Sequence, residues 1–181
     1  MGRRAERLGV GRGGTGRCVI TGFLLDTSFL ITLVDDSRPG HVVARKYFEH
    51  ALASGATMYV STLALAEFAI KQAITDLPLG ALRVLPFNID HATAAGRLAS
   101  ILMPVRDPGD ERATVRNDLN LIAQADTERI PYILTEDRRT LAKYVERAHA
   151  AGASECRAVV LADEFESCWF KDGQSALPFT E

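Results

Sequence analysis

Apolar residues fall in two rhythms along this chain: short continuous runs, and longer stretches in which they recur every three or four positions. Runs at 19–25, 57–60, 82–87, 131–135 and 157–162 have the length of strands, and continuous apolar runs are typical of strands buried on both faces of a parallel sheet. Pro86 weakens the third, because proline cannot donate to a sheet ladder. Between the runs, helical spacing covers 28–34, 41–54, 62–74, 90–102, 113–129 and 138–151. The helix at 41–54 shows an imperfect stripe through Val42, Ala44, Tyr47, Phe48 and Leu52. Punctuation agrees with these bounds. Ser61 and Asp90 can cap the helices that follow them, Gly55 and Gly152 close others, and Asp-Asp-Ser-Arg-Pro-Gly at 35–40 is a stop signal. Strands alternating with helices predict an α/β fold with a mainly parallel sheet.

A length of 181 residues suits one domain with a full core. Three segments are expected: a flexible basic lead-in at 1–18, a folded body at 19–162 and an acidic, aromatic tail at 163–181 that wraps the surface or meets a partner. The lead-in is rich in Arg and Gly without an apolar core region, so it is no secretory signal, and folding is expected to proceed without it. Residues 1–22 hold five Arg and one Glu, a charge of +4, which leaves −6 of the overall −2 for residues 23–181. An acidic body argues against broad electrostatic capture of nucleic acid. It still admits a substrate whose phosphates are bridged to carboxylates by cations. Three cysteines without a CxxC pair and four scattered histidines point to neither a disulfide framework nor zinc, and suit a reducing cytoplasm. No apolar run is long enough to span a bilayer.

The acids change the picture. Asp26 ends the run at 19–25, and Asp137 follows the run at 131–135. Ligands of open α/β sheets bind beyond the carboxyl ends of strands, although capping of the next helix is an alternative role for each. Glu67 stands in the series Leu63, Glu67, Ile70, Ile74, and Asp118 in Val115, Asp118, Ile122, Ala125, each at the spacing of one helical face. A carboxylate on an apolar face is costly to bury unless it is paired, protonated or bound to a cation. Gathered carboxylates raise one another's pKa unless a cation compensates, and hard cations such as Mg²⁺ or Mn²⁺ take oxygen ligands. An acid-only site suits phosphodiester hydrolysis, in which cations hold phosphate oxygens, activate water and stabilise the leaving oxygen. No Ser–His or Cys–His pair offers a nucleophilic alternative. Arg112 and Arg116 precede Asp118 and could contact phosphates, solvated helix charge being the simpler role. Asp107, Asp110 and Glu111, in the loop at 103–111, read as solvated surface.

Leu24-Leu25-Asp26-Thr27-Ser28, Ala66-Glu67, Asn117-Asp118-Leu119-Asn120-Leu121-Ile122-Ala123-Gln124-Ala125 and Leu134-Thr135-Glu136-Asp137 resemble, in order and spacing, the motifs of PIN-domain ribonucleases. In style they are similar to VapC-type toxins of toxin–antitoxin pairs, over about residues 19–162. The resemblance implies a Rossmann-like three-layer α/β/α domain, Mg²⁺ or Mn²⁺ dependence and hydrolysis of single-stranded or structured RNA. It implies Asp26, Glu67 and Asp118 as core metal ligands, Asp137 as the more variable fourth acid, and Ser28 and Thr135 as supporting hydroxyls. Glu136 competes for the fourth place, and the Thr-x-Asp spacing favours Asp137. An antitoxin and a homodimer are the partners implied beside RNA. The basic lead-in, the tail and longer segments after Glu67 and at 103–111 depart from minimal toxins. Two functions follow as expectations: a metal-dependent endoribonuclease acting as a toxin, or a PIN-fold RNA- or protein-binding module with little turnover. A phosphatase of the haloacid-dehalogenase type requires a second Asp where Ser28 stands.

Overall fold

Strand β1 (Gly22–Leu25) is buried along its whole length, as an unbroken apolar sequence requires. Its side chains alternate between two cores: Phe23 and Leu25 join one cluster, Leu24 the other. The computed structural model describes residues 22–161 and 164–170, so the expected lead-in at 1–18 and tail residues 171–181 lie outside the described residues. With β2 (Thr57–Ser61), β3 (Arg83–Leu85), β4 (Tyr132–Thr135) and β5 (Arg157–Val160), β1 forms a five-stranded parallel sheet of order β3-β2-β1-β4-β5. Leu24 is central, paired with Tyr59 on one side and Ile133 on the other. The chain winds from β1 out to β3 and then returns to the opposite side of β1. Strand order therefore reverses between β1 and β4, which opens a crevice at their carboxyl ends.

Helices α1 (Thr27–Val34), α2 (His41–Ser54) and α3 (Thr62–Ala69) supply the first cluster, packed on Phe23, Leu25, Met58 and Val60. Helices α4 (Ile89–Leu102), α5 (Arg112–Thr127) and α6 (Leu141–Ala150) supply the second, packed on Leu24 and Ile133. This is the three-layer α/β/α arrangement expected, with both sheet faces covered.

Four local expectations are corrected. Helix α3 ends at Ala69, well short of residue 74, and Ile70 is 83% exposed. The buried face is Ala64 and Phe68, so the series Leu63–Glu67–Ile70–Ile74 is not the face against the core. After Phe68 the chain turns so that Leu77 can enter the same cluster, and spacing alone does not reveal that turn. In α2 the core side chains are Val43, Ala44, Tyr47 and Ala51, while Val42 and Leu52 are exposed. The cap of α4 is Asn88 and not Asp90: its side chain accepts from the amides of Asp90 and His91, and the buried His91 ring accepts from Asn88 N–H. Asp107 and Asp110, expected to be solvated, are tied to α6. Lys143 donates to both, Arg147 to Asp107 and the Tyr144 hydroxyl to Asp110. The Arg147 and Lys143 bonds hold Asp107 below the usual carboxylate range, and Lys143 and Tyr144 do so for Asp110. These bonds anchor the loop that leads into α5.

The described part of the tail does wrap the surface. Phe165, Trp169 and Phe170 pack on the first cluster, and the Phe170 ring lies 4.8 Å from Phe23 and 4.5 Å from His50. Phe170→Ala should lower stability by about 2 kcal/mol in urea melts, since a half-buried aromatic is lost from a core rim. An unchanged midpoint would show that the tail contributes no packing. No helix among the described residues is long and apolar enough to cross a membrane.

Candidate active site

The amide of Asp26 donates to the Leu134 carbonyl at 3.0 Å, which joins the exits of β1 and β4. Asp26 does cap α1: its Oδ2 accepts from the Ser28 amide at 3.2 Å. The same oxygen accepts from the Ser28 hydroxyl at 2.6 Å and the Thr135 hydroxyl at 2.8 Å. Burial nevertheless raises its pKa, against the pull of those bonds. Capping and a place at the strand exit are therefore compatible roles.

Glu67 reaches the same region from α3. Its Oε2 accepts from the Thr27 hydroxyl at 2.8 Å and its Oε1 from the Asn117 amide at 2.7 Å. Asp118, next on α5, is buried on the Val115–Asp118–Ile122–Ala125 face, as its spacing predicts. Its Oδ2 is buried and has no hydrogen-bond partner among the described residues. Burial first, then the charges of Asp26, Asp137 and Glu67, push its pKa up to about 8, with the Thr140 hydroxyl acting the other way. Asp137, just past β4, differs. Burial acts upward on it, but bonds from Thr140 and the amide of Arg139 hold its carboxyl below the usual range. All four acids line one pocket of about 350 Å³, together with Thr27, Ser28, Arg38, Lys71 and Asn117.

A family model for the PIN domain matches residues 23–146. The chain belongs to the PIN domain family. Among solved structures, it is similar to a chain of VapBC2 from Rickettsia felis bound to a promoter DNA fragment. The TM-score is 0.55 at 14% identity, over 78% of this chain and 100% of that one. DNA-bound VapBC from Salmonella typhimurium gives 0.54 at 18% identity, over 78% of this chain and 99% of that one. At these identities the likeness is one of fold. No curated protein matches the sequence significantly.

In this PIN domain the two hydroxyls singled out in the sequence link the acids. Ser28 Oγ lies 3.1 Å from Thr135 Oγ1 and accepts from the Glu136 amide, while Thr135 Oγ1 accepts from the Asp137 amide. Glu136 itself turns away, and its Oε2 accepts from Thr32 and Arg38. Sequence reasoning missed Thr27, Asn117 and Thr140 as holders of the acids. The first two adjoin Asp26 and Asp118, which was the available signal. Arg112 and Arg116 are exposed, and neither lines the carboxylate pocket. Among the described residues no three His, Cys, Asp or Glu side chains are grouped as ligands of a metal ion. The donors still fit a hard divalent cation, being carboxylate oxygens of which the buried Asp118 Oδ2 has no partner among the described residues.

Proposed function

We propose that this PIN-domain protein is a divalent-metal-dependent endoribonuclease and the toxin of a toxin–antitoxin pair. The observation that carries the reading is the convergence of Asp26, Glu67, Asp118 and Asp137, from four separate elements, on one pocket at the sheet's switch point. Asp26, Glu67 and Asp118, with Asp137 as fourth acid, would hold Mg²⁺ or Mn²⁺. A cation bound there would offset phosphate charge and lower the pKa of a water molecule. The protein's own part is orientation. Ser28 and Thr135 fix Asp26, Thr27 and Asn117 fix Glu67, and Thr140 fixes Asp137. Burial favours the protonated form of Asp118 near neutrality in the metal-free protein, and a bound cation would take it as a carboxylate, since ligating carboxylates are deprotonated.

The toxin role is supported by the motif resemblance to VapC-type toxins and by the fold shared with chains of VapBC structures. Under this reading the partners are single-stranded or structured RNA, an antitoxin and a second copy of the chain, with a cytoplasmic location. Purified protein should cleave a mixed single-stranded RNA pool with Mg²⁺ or Mn²⁺, lose the activity in EDTA, and recover it on adding metal. Cleavage at full rate in excess chelator would rule out the metal mechanism. RNA bound but never cut by the metal-loaded protein would favour the binding-module alternative. Copurification with the product of a small adjacent reading frame would support the antitoxin.

A further inference from the structure

Arg38 sits in the loop between α1 and α2, where the sequence marks it only as part of a helix stop. In the structure it lines the carboxylate pocket, and Lys71 is the other cation there. The two differ in how they are held. Lys71 is exposed and its side chain has no hydrogen bond among the described residues. Arg38 donates through Nη2 to Glu136 Oε2 at 2.5 Å. Glu136 is itself fixed: the fully buried Thr32 donates to the same oxygen at 2.8 Å, and the Glu136 amide donates to Ser28 Oγ, which in turn donates to Asp26. Gly40 closes the loop over this pair, so near that a Cβ there would lie 3.1 Å from Glu136 Oε1 and from Thr32 Cγ2.

An ion pair with side chains 36% and 29% exposed contributes little to stability. Its placement is therefore the informative feature. A guanidinium carries five N–H donors in a planar fork that matches phosphate oxygens, and Glu136 engages one nitrogen. Four carboxylates in the same pocket repel a phosphodiester, so a held cation at their edge meets a need that the acids create.

We propose that Arg38 is a phosphate-binding residue for single-stranded RNA lying across this pocket, and that Glu136 is the positioning residue that aims its guanidinium. This rests on the ribonuclease reading above. Glu136 thereby has a role without being a fourth metal ligand.

The test is the kinetics of cleavage of a labelled single-stranded RNA at fixed Mg²⁺ over a series of KCl concentrations. The proteins are wild type, Arg38→Ala, Arg38→Lys, Glu136→Ala and the double variant. Arg38→Ala should raise KM about tenfold with a smaller change in kcat. It should also reduce the slope of log KM against log salt by about 0.7, the share of one phosphate contact on a single strand. Arg38→Lys should restore the slope and only part of the KM, because it keeps the charge and loses the fork. Glu136→Ala should raise KM in wild type but not in Arg38→Ala, since positioning has no object once the guanidinium is gone. Melting temperatures should stay within about 4 °C of wild type. If Arg38→Ala falls outside that range, Arg38→Gln, which keeps the stem and an amide donor, carries the same comparison. An unchanged KM and salt slope in folded Arg38→Ala would overturn the phosphate contact and leave the ribonuclease reading standing. A KM that falls in Glu136→Ala would overturn the positioning role. Wild-type protein that cuts no RNA overturns the ribonuclease reading, and this inference with it.

Discussion

Asp118→Asn should abolish RNA cleavage and leave the metal-free fold as stable as wild type at about pH 4 and more stable at pH 7 and above. The expectation follows from where Asp118 lies. It is buried on the core face of α5, its Oδ2 has no partner among the described residues, and three other carboxylates line the same pocket. With its pKa pushed up to about 8, it is mostly neutral at pH 7. Asn then replaces a neutral group of nearly the same shape in the folded state, while the unfolded wild type still gains from ionising a carboxyl that the variant lacks. At pH 9 wild type buries a charge that the variant lacks. A structural salt bridge predicts the opposite sign, because stranding one buried partner costs about 3–5 kcal/mol. No salt bridge to Asp118 is present among the described residues. With Mg²⁺ at a hundred times its dissociation constant, wild type should gain about 2.7 kcal/mol and the variant much less. Urea melts in EDTA and in Mg²⁺, beside an RNA cleavage assay, provide the comparison. A variant that is markedly destabilised in EDTA, or that cuts RNA normally, would remove Asp118 from the proposed machinery.

Stability of the metal-free protein should fall as pH rises from about 4 to about 8. Asp118 titrates near its ordinary value of 3.8 when unfolded and at about 8 when folded. Between these values the folded state holds the extra proton, and raising the pH draws it off at a cost to folding of about 1.4 kcal/mol per pH unit. Over the whole window the loss is at most on the order of 6 kcal/mol. Asp26, raised by burial, acts in the same direction. Asp137 acts oppositely: its depressed pKa contributes stability that is present above the ordinary value and lost as pH falls through its folded value. The difference between wild type and Asp118→Asn isolates one group. In EDTA it should be near zero below about pH 4, should favour the variant increasingly as pH rises towards about 8, and should level off above that. A flat difference across that range would mean that Asp118 ionises normally. If a cation takes Asp118 as a ligand it must displace that proton, so Mg²⁺ should bind more tightly as pH rises, by about tenfold per unit below about pH 8.

The fold class and the two exit acids were legible because their signals are local. A strand buried on both faces needs a continuous apolar run, and Asp26 and Asp137 adjoin such runs. Asp118 was legible because α5 is amphipathic throughout. Glu67 was singled out through a stripe that does not exist, since Ile70 and Ile74 have the right spacing but no core beneath them. Its place in the pocket comes instead from the resemblance at Ala66-Glu67 and from contacts with Thr27 and Asn117. Asp107 and Asp110 looked solvated because their partners Lys143 and Arg147 lie on another helix.

The sequence by itself determined that strands and helices alternate, that the central strand β1 is buried on both faces, and which acids interrupt that pattern. Apolar periodicity and strand exits are properties of neighbours along the chain. Only the tertiary structure decided which oxygens are satisfied and which is not. Thr27 reaches Glu67 across 40 positions, Thr135 reaches Asp26 across 109, and Arg38 reaches Glu136 across 98. Those pairings turn one acid, Glu136, out of the pocket and leave Asp118 Oδ2 buried with no partner among the described residues. Hydrogen bonding and desolvation depend on what surrounds a group in space, and sheet order, set by the return of β4 beside β1, supplies those surroundings.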